Sequence, residues 1–280
     1  MWNRVPLPLR ALLAGIAVTG TATLVWGSLI QANLRLFPAL PWATVIMALF
    51  LVFYWRFLKG WGWPRSTSAA RRIALRAEPI SSSVWRWSFV AGGLGLAASI
   101  ALFILSHRLI RWPQPAHSDL SRIPLITLLP SLVMSATVAG VGEEAGFRGY
   151  MQGPLDRRYG PAMGITITSV VFGLAHLTHG AFLPAILFDI GWGALYGLLT
   201  YRSGSIVPAI ILHSSADALE FLVAWKFPST APTPLAWVTG PDPLLWFNCI
   251  LAVLLGSASV WAFGRLARTH PNDRRGVAAG

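Results

Sequence analysis

Eight long apolar runs, set apart by polar, glycine or proline breaks, organise the chain; they lie near 11–30, 38–56, 88–107, 123–145, 161–179, 181–200, 205–225 and 243–264. A bilayer core of ~30 Å takes about 20 mostly apolar residues in a helix, and each run is close to that length. The pattern predicts an all-α fold, a polytopic membrane helical bundle of about eight transmembrane helices. The first run follows Arg4 and Arg10, contains Trp26 and lacks a small-residue cleavage site, so it reads as a retained signal anchor. The expected plan is one integral membrane domain over 1–280. It has N-terminal spans from 11 to 122 with a basic loop near 60–87, a core at 123–225, a last span at 243–264 and a basic tail at 265–280.

Composition agrees. The chain is 55% hydrophobic and only 11% charged, with a mean hydropathy of +0.59, whereas soluble domains carry about 25% charged residues. An ordinary cytosolic enzyme, a disordered chain and a collagen-like fibre are excluded. The net charge of +12 is the footprint of a nucleic-acid binder, until the loops are sorted. Seventeen of the 22 basic residues share a side with the termini, and only Arg35, Arg108, Arg111, Arg122 and Lys226 fall on the other. The positive-inside bias then puts both termini in the cytoplasm. The expected partners are the lipid bilayer and a membrane-associated peptide or protein substrate, and nucleic acid is not among them. Twenty arginines to two lysines suggest a GC-rich bacterium, hence a multi-pass protein of the bacterial inner membrane. Cys249 is the single cysteine, which excludes an intramolecular disulfide. The loop from Gly60 to Trp87 interleaves Arg65, Arg71, Arg72 and Arg76 with Trp61, Trp63 and Trp85, as a surface segment on anionic headgroups would. Pro113–Ser121 and Pro228–Pro243 read as irregular connections on the outer face.

Acidic residues carry more chemistry than basic ones here. Six of the ten (Glu143, Glu144, Asp156, Asp189, Asp217 and Glu220) fall between 141 and 220, with His176, His179 and His213. Ionisable side chains inside a span are costly and functional candidates by default. If the fourth span continues to Arg157 and Arg158, turns at Tyr159 and Gly160 and returns from Pro161, Glu143 and His176 are equidistant from the turn. At about 1.5 Å per residue both stand ~24 Å from it. A second turn at Ser203 and Gly204 brings His213 to the same depth, with Asp217 one helical turn further. Such a set has the parts of a hydrolytic site: a carboxylate to take a proton from water, a histidine facing it, and a second histidine to donate to an oxyanion. Glu144 and Arg148 are an i, i+4 pair that satisfies one carboxylate and one guanidinium inside the bundle. Gly173, Gly193 and Gly197 read as sites of close helix approach.

These residues fall into three motifs: Glu143-Glu144-x-x-x-Arg148, Phe172-x-x-x-His176 and His213-x-x-x-Asp217. Together they resemble the CAAX prenyl endopeptidase and bacteriocin-processing (CPBP) family of intramembrane proteases, over roughly residues 140 to 217. The resemblance implies a glutamate-dependent endopeptidase that needs no metal cofactor and cuts a peptide bond near the cytoplasmic membrane surface. It implies Glu143 as base for water, His176 as its partner, His213 with residue 217 as the oxyanion site, and Glu144 and Arg148 in support. Asp217 stands where the prenyl-protein branch has asparagine; an ionised carboxylate cannot donate, so it acts protonated or orients His213. Two alternatives stand beside this reading. Glu143, His176, His179 and His213 are zinc-ligand types, although no His-Glu-x-x-His helix is present. A non-proteolytic immunity or scaffold partner, or a transporter, would use the same spans without hydrolysis.

Overall fold

The computed structural model describes residues 4–113, 120–227 and 233–269, and among them every regular element is helical. In chain order these are α1 (Leu7–Leu36), α2 (Trp42–Leu58), α3 (Ser68–Leu75), α4 (Ser82–Leu109), α5 (Leu125–Glu143), α6 (Gly153–Tyr159), α7 (Pro161–Ala175), α8 (Leu183–Ser203), α9 (Val207–Lys226), α10 (Ala236–Thr239) and α11 (Pro243–Thr269). Between α5 and α6 the helix widens into a π turn, Glu144–Gln152, and α7 tightens into a 3-10 turn, His176–His179. Seven helical segments among the described residues are long and apolar enough to cross a membrane, and α2, at 17 residues, is a shorter apolar eighth. The fold is thus a polytopic all-α bundle and the protein a multi-pass membrane protein. Its outward faces are apolar: Leu24 is 72% exposed and Val260 73%, positions that suit lipid rather than water. The segments 113–121 and 228–243 fall in part outside the described residues, and the tail beyond Thr269 does so wholly.

Helix ends follow local chemistry. Proline in the first turn of α1, α8 and α9 loses no intrahelical bond there. Ser81 caps α4 by accepting from the Val84 amide. Gly160 (φ 83°) and Gly204 (φ 73°) end α6 and α8 in conformations that side chains disfavour, so both expected turns fall where the sequence puts them. Buried Asn33 closes the turn from α1 to α2. Its Nδ2 donates to the carbonyls of Phe37 (2.9 Å) and Leu40 (2.8 Å), and its Oδ1 accepts from the Ala43 amide (2.9 Å).

The residues cluster into two compact units interleaved along the chain: Met1–Glu78, His117–Thr168 and Ser205–Pro228 in one, Pro79–Ala116, Ser169–Gly204 and Ser229–Gly280 in the other. In the first, Ala22 and Trp26 of α1 pack on Ala43, Met47 and Leu51 of α2 and Val138 of α5. A second cluster joins Val18, Leu58, Leu75, Ala145 and Ile206. Trp26 Nε1 donates to Ser135 Oγ at 2.9 Å, and the Tyr54 hydroxyl to the Val18 carbonyl at 2.8 Å. The basic loop of this unit is not uniformly outward: Arg65 and Arg72 are exposed, but Arg71 turns in over the Phe57 ring, 3.9 Å from its centroid, and donates to the Trp61 carbonyl. In the second unit α4 lies along α11, where Ser259 Oγ donates to the Ala91 carbonyl at 2.8 Å and Trp87 meets Trp261 edge-on. Gly173 and Gly193 of this unit are close-approach sites. A Cβ on Gly173 would lie 2.9 Å from the Ile186 carbonyl oxygen, and one on Gly193 3.1 Å from Ser169 Cα.

Candidate active site

The site of the first unit is built where α5 passes into the π turn and α9 crosses beside it. Two glycines let the π turn sit close to its neighbours. A Cβ on Gly146 would lie 2.6 Å from the Gly15 carbonyl oxygen of α1, and one on Gly149 3.0 Å from the Ala74 carbonyl oxygen of α3. On the other side, a Cβ on Gly140 would lie 2.9 Å from the Ile210 carbonyl oxygen, so α5 and α9 approach at backbone distance. That approach brings His213 of α9 against the two glutamates.

His213 is the hub. Its Nδ1–H donates to Glu144 Oε1 at 2.8 Å. Its Nε2 lies 3.5 Å from Asp217 Oδ2, one turn along α9, and 3.9 Å from Glu143 Oε2. Adjacent helical residues diverge by about 100°, and two neighbouring glutamates can serve one ring only because imidazole carries nitrogens on both sides. Behind Glu144, Arg148 Nη1 stands 3.3 Å from Oε1, the expected i, i+4 pair.

Burial grades this cluster. Side-chain exposure is 0% for Glu144, 1% for Arg148 and 7% for His213, rising to 18% for Glu143 and 22% for Asp217. The Arg148–Glu144 pair is therefore an inner brace for the ring, and Glu143 and Asp217 form the accessible edge. Oε2 of both glutamates is buried without a hydrogen-bond partner, and Glu144 is the more engaged of the two through its Oε1. Such an arrangement can hold an imidazole in one orientation and present a carboxylate beside its second nitrogen.

The first unit thus gathers Glu143, Glu144, Arg148, His213 and Asp217. His176 stands in the second, at the end of α7, where its Nδ1–H donates to the Phe172 carbonyl at 2.8 Å and its ring packs 4.6 Å from that of Phe172. The side chain of His179, one of the four residues of the zinc alternative, lies outside the described residues. Glu220 is exposed and Asp189 half-buried. Sequence reasoning missed the bond from His213 to Glu144, having paired Glu144 with Arg148 alone; two adjacent glutamates and one two-sided ring were the available signal.

A helical membrane bundle with a buried carboxylate–histidine cluster defines the class. Residues 125–219 match the family model described as type II CAAX prenyl endopeptidase Rce1-like. The segment contains Glu143, Glu144, Arg148, His176, His213 and Asp217, and the family is the one to which the three motifs pointed. No curated protein and no solved structure matches the chain.

Proposed function

We propose that this protein is a glutamate-dependent intramembrane endopeptidase of the Rce1-like family, and that Glu143 activates the attacking water. The observation that carries this reading is the graded cluster, with Nδ1 of His213 held at 2.8 Å by a buried glutamate and the more accessible Glu143 beside Nε2. Glu143 takes a proton from water, and the hydroxide adds to the scissile carbonyl carbon. With both ring nitrogens protonated, His213 donates Nδ1–H to Glu144 and Nε2–H to the oxyanion. Collapse of the intermediate breaks the C–N bond, and the departing amine takes the proton that Glu143 received. Asp217, 3.5 Å from Nε2, orients the ring rather than donating to the oxyanion. By the family resemblance His176 belongs to the same reaction.

In this reading the protein lies in the bacterial cytoplasmic membrane with both termini cytoplasmic, as the basic loops direct. It cleaves a membrane-associated peptide near the cytoplasmic surface and requires no metal. The family is described by its CAAX prenyl endopeptidases; for this chain the substrate class is a membrane-anchored peptide.

The test is cleavage of a fluorogenic membrane-anchored peptide by the detergent-purified protein. Glu143→Gln is expected to lower kcat/KM by at least about a hundredfold, and His176→Ala to lower it as well. Cleavage that survives both changes means that the protein is not this enzyme. Activity lost on chelation and restored by zinc would replace the glutamate mechanism with a metal one.

A further inference from the structure

Arg76 ends α3 and is the one non-glycine residue among those described with a left-handed backbone, at φ 56° and ψ 34°. L-residues disfavour that region, so tertiary contacts hold it there. The backbone conformation aims the Arg76 carbonyl at the Ile206 amide, 3.0 Å away and one residue before α9 begins. The side chain reaches the other way. Its Nη1 donates to Asp156 Oδ2 at 2.9 Å, and the same nitrogen lies 3.4 Å from the carbonyl oxygen of Arg148 in the π turn. Gln152 Nε2 donates to the same Asp156 oxygen at 3.2 Å.

One residue therefore grips both segments that carry the cluster: the π turn with Glu144 and Arg148, and the start of α9, which presents His213 two turns on. A salt bridge that merely stabilised the loop would need Asp156 alone. The added bonds to the Arg148 carbonyl and the Ile206 amide fix the π turn against α9, and glycines clear the way. A Cβ on Gly153 would lie 3.2 Å from Arg76 Cδ, in the surface over which the arginine runs.

We propose that Arg76 is a positioning residue of the peptidase site: it sets the register between the π turn and α9, and so the reach of Glu143 and Glu144 to His213. This deepens the functional reading above and rests on it. Its partners are Asp156, the Arg148 carbonyl and the Ile206 amide, so in this role it acts on turnover and not on substrate binding.

Arg76→Gly is the informative change, because glycine adopts the same backbone conformation and keeps the carbonyl to Ile206 while losing the guanidinium. The expected result is a fall in kcat of about tenfold or more, an unchanged KM, a displaced pH–rate profile and a Tm lowered by less than in Arg148→Ala, since Asp156 keeps Gln152 as a donor. Arg76→Lys, which keeps one donor to Asp156, should recover part of the lost rate. Unchanged kcat in Arg76→Gly overturns the proposal, and so does a kcat that falls only together with Tm and KM. Hydrogen exchange separates this from a failure of the peptidase reading. In Arg76→Gly the amides of the π turn and of Ile206 should exchange faster while those of α2 do not. If Glu143→Gln still cleaves, the peptidase reading fails while exchange continues to decide whether Arg76 holds the π turn to α9; no change at those amides would end the proposal.

Discussion

The two units bury polar groups in different ways. Among the described residues, every buried arginine, glutamate and histidine (Arg71, Glu144, Arg148 and His213) lies in the first unit, while the second buries hydroxyls and one amide, such as Ser88, Ser106, Ser259 and Asn248. In the second unit Ser106 Oγ and Asn248 Nδ2 find acceptors in their own helices, at the Phe103 and Leu244 carbonyls, and Ser259 Oγ finds one in α4. A hydroxyl satisfied one turn back needs no neighbour and costs the bundle little. The charges of the first unit are satisfied across helices, Glu144 by His213 and Asp156 by Arg76. A charge in apolar surroundings is expensive even when paired, so the first unit keeps its charges at the expense of stability.

The largest effect that would test this contrast is at the inner brace. Arg148→Ala leaves the fully buried Glu144 without its guanidinium, and breaking a buried pair in this way costs about 3–5 kcal/mol. Removing the more exposed Arg108–Asp242 pair of the second unit by Arg108→Ala should cost clearly less. Thermal unfolding of the two variants in the same detergent compares them directly. Equal losses would dissolve the distinction between the units. Restoring much of the Arg148→Ala loss with Glu144→Gln in the same chain would show that the uncompensated charge, and not lost packing, is responsible.

Much of the fold was legible because lipid imposes simple rules. Apolar runs of the required length became helices, and Gly160 and Gly204 ended them where a left-handed or otherwise restricted backbone is needed. The 38–56 run became the shorter α2, because Pro41 and Lys59 bound it. The π turn was not legible. Nothing in Glu144–Gln152 spells a wider turn; it arises from close packing at Gly146 and Gly149, which only the folded chain reveals. Depth arithmetic from Gly160 assumed uniform α-helical rise and therefore overlooked it. At the site, the residue types and their spacing announced chemistry. The two-sided use of His213 was invisible, since sequence order does not say which ring nitrogen meets which carboxylate.

A middle-sized effect separates backbone contacts from side-chain contacts. In the first unit a Cβ on Gly140 would lie 2.1 Å from Ser214 Oγ and 2.9 Å from the Ile210 carbonyl oxygen; in the second, one on Gly95 would meet Leu195 Cδ1 at 2.6 Å. A leucine methyl can swing aside, whereas a helix backbone cannot. Gly140→Ala should cost about 1–3 kcal/mol and reduce peptide cleavage by spreading α5 from α9. Gly95→Ala should stay within about 1 kcal/mol of neutral, since the alanine helix preference offsets the contact. Ser214→Ala would rescue Gly140→Ala only in part, because the Ile210 carbonyl remains. Full rescue would mean that the α5–α9 approach is held by side chains and that the site tolerates more play than the structure implies.

The smallest effect concerns the Arg108–Asp242 ion pair of the second unit, at the start of α11. Asp242 Oδ1 accepts from the Leu245 amide at 2.8 Å, and Arg108 Nη2 pairs with its other oxygen. The Leu245 amide first, and then Arg108, hold this carboxyl below its ordinary 3.8. A depressed carboxyl contributes stability while ionised. That contribution is complete above about 3.8 and fades as pH falls through the lower folded value. The group is solvent-exposed, so the consequence is local: the Leu245 amide should exchange faster relative to its intrinsic rate as pH is lowered past 3.8, with the global Tm little changed. Asp242→Asn, which can still accept from Leu245 but cannot ionise, should show no such change over the same range. A global loss of stability in that acid window, abolished by Asp242→Asn, would place a working charge in the second unit, and the contrast between the units would fail at the position where it is weakest.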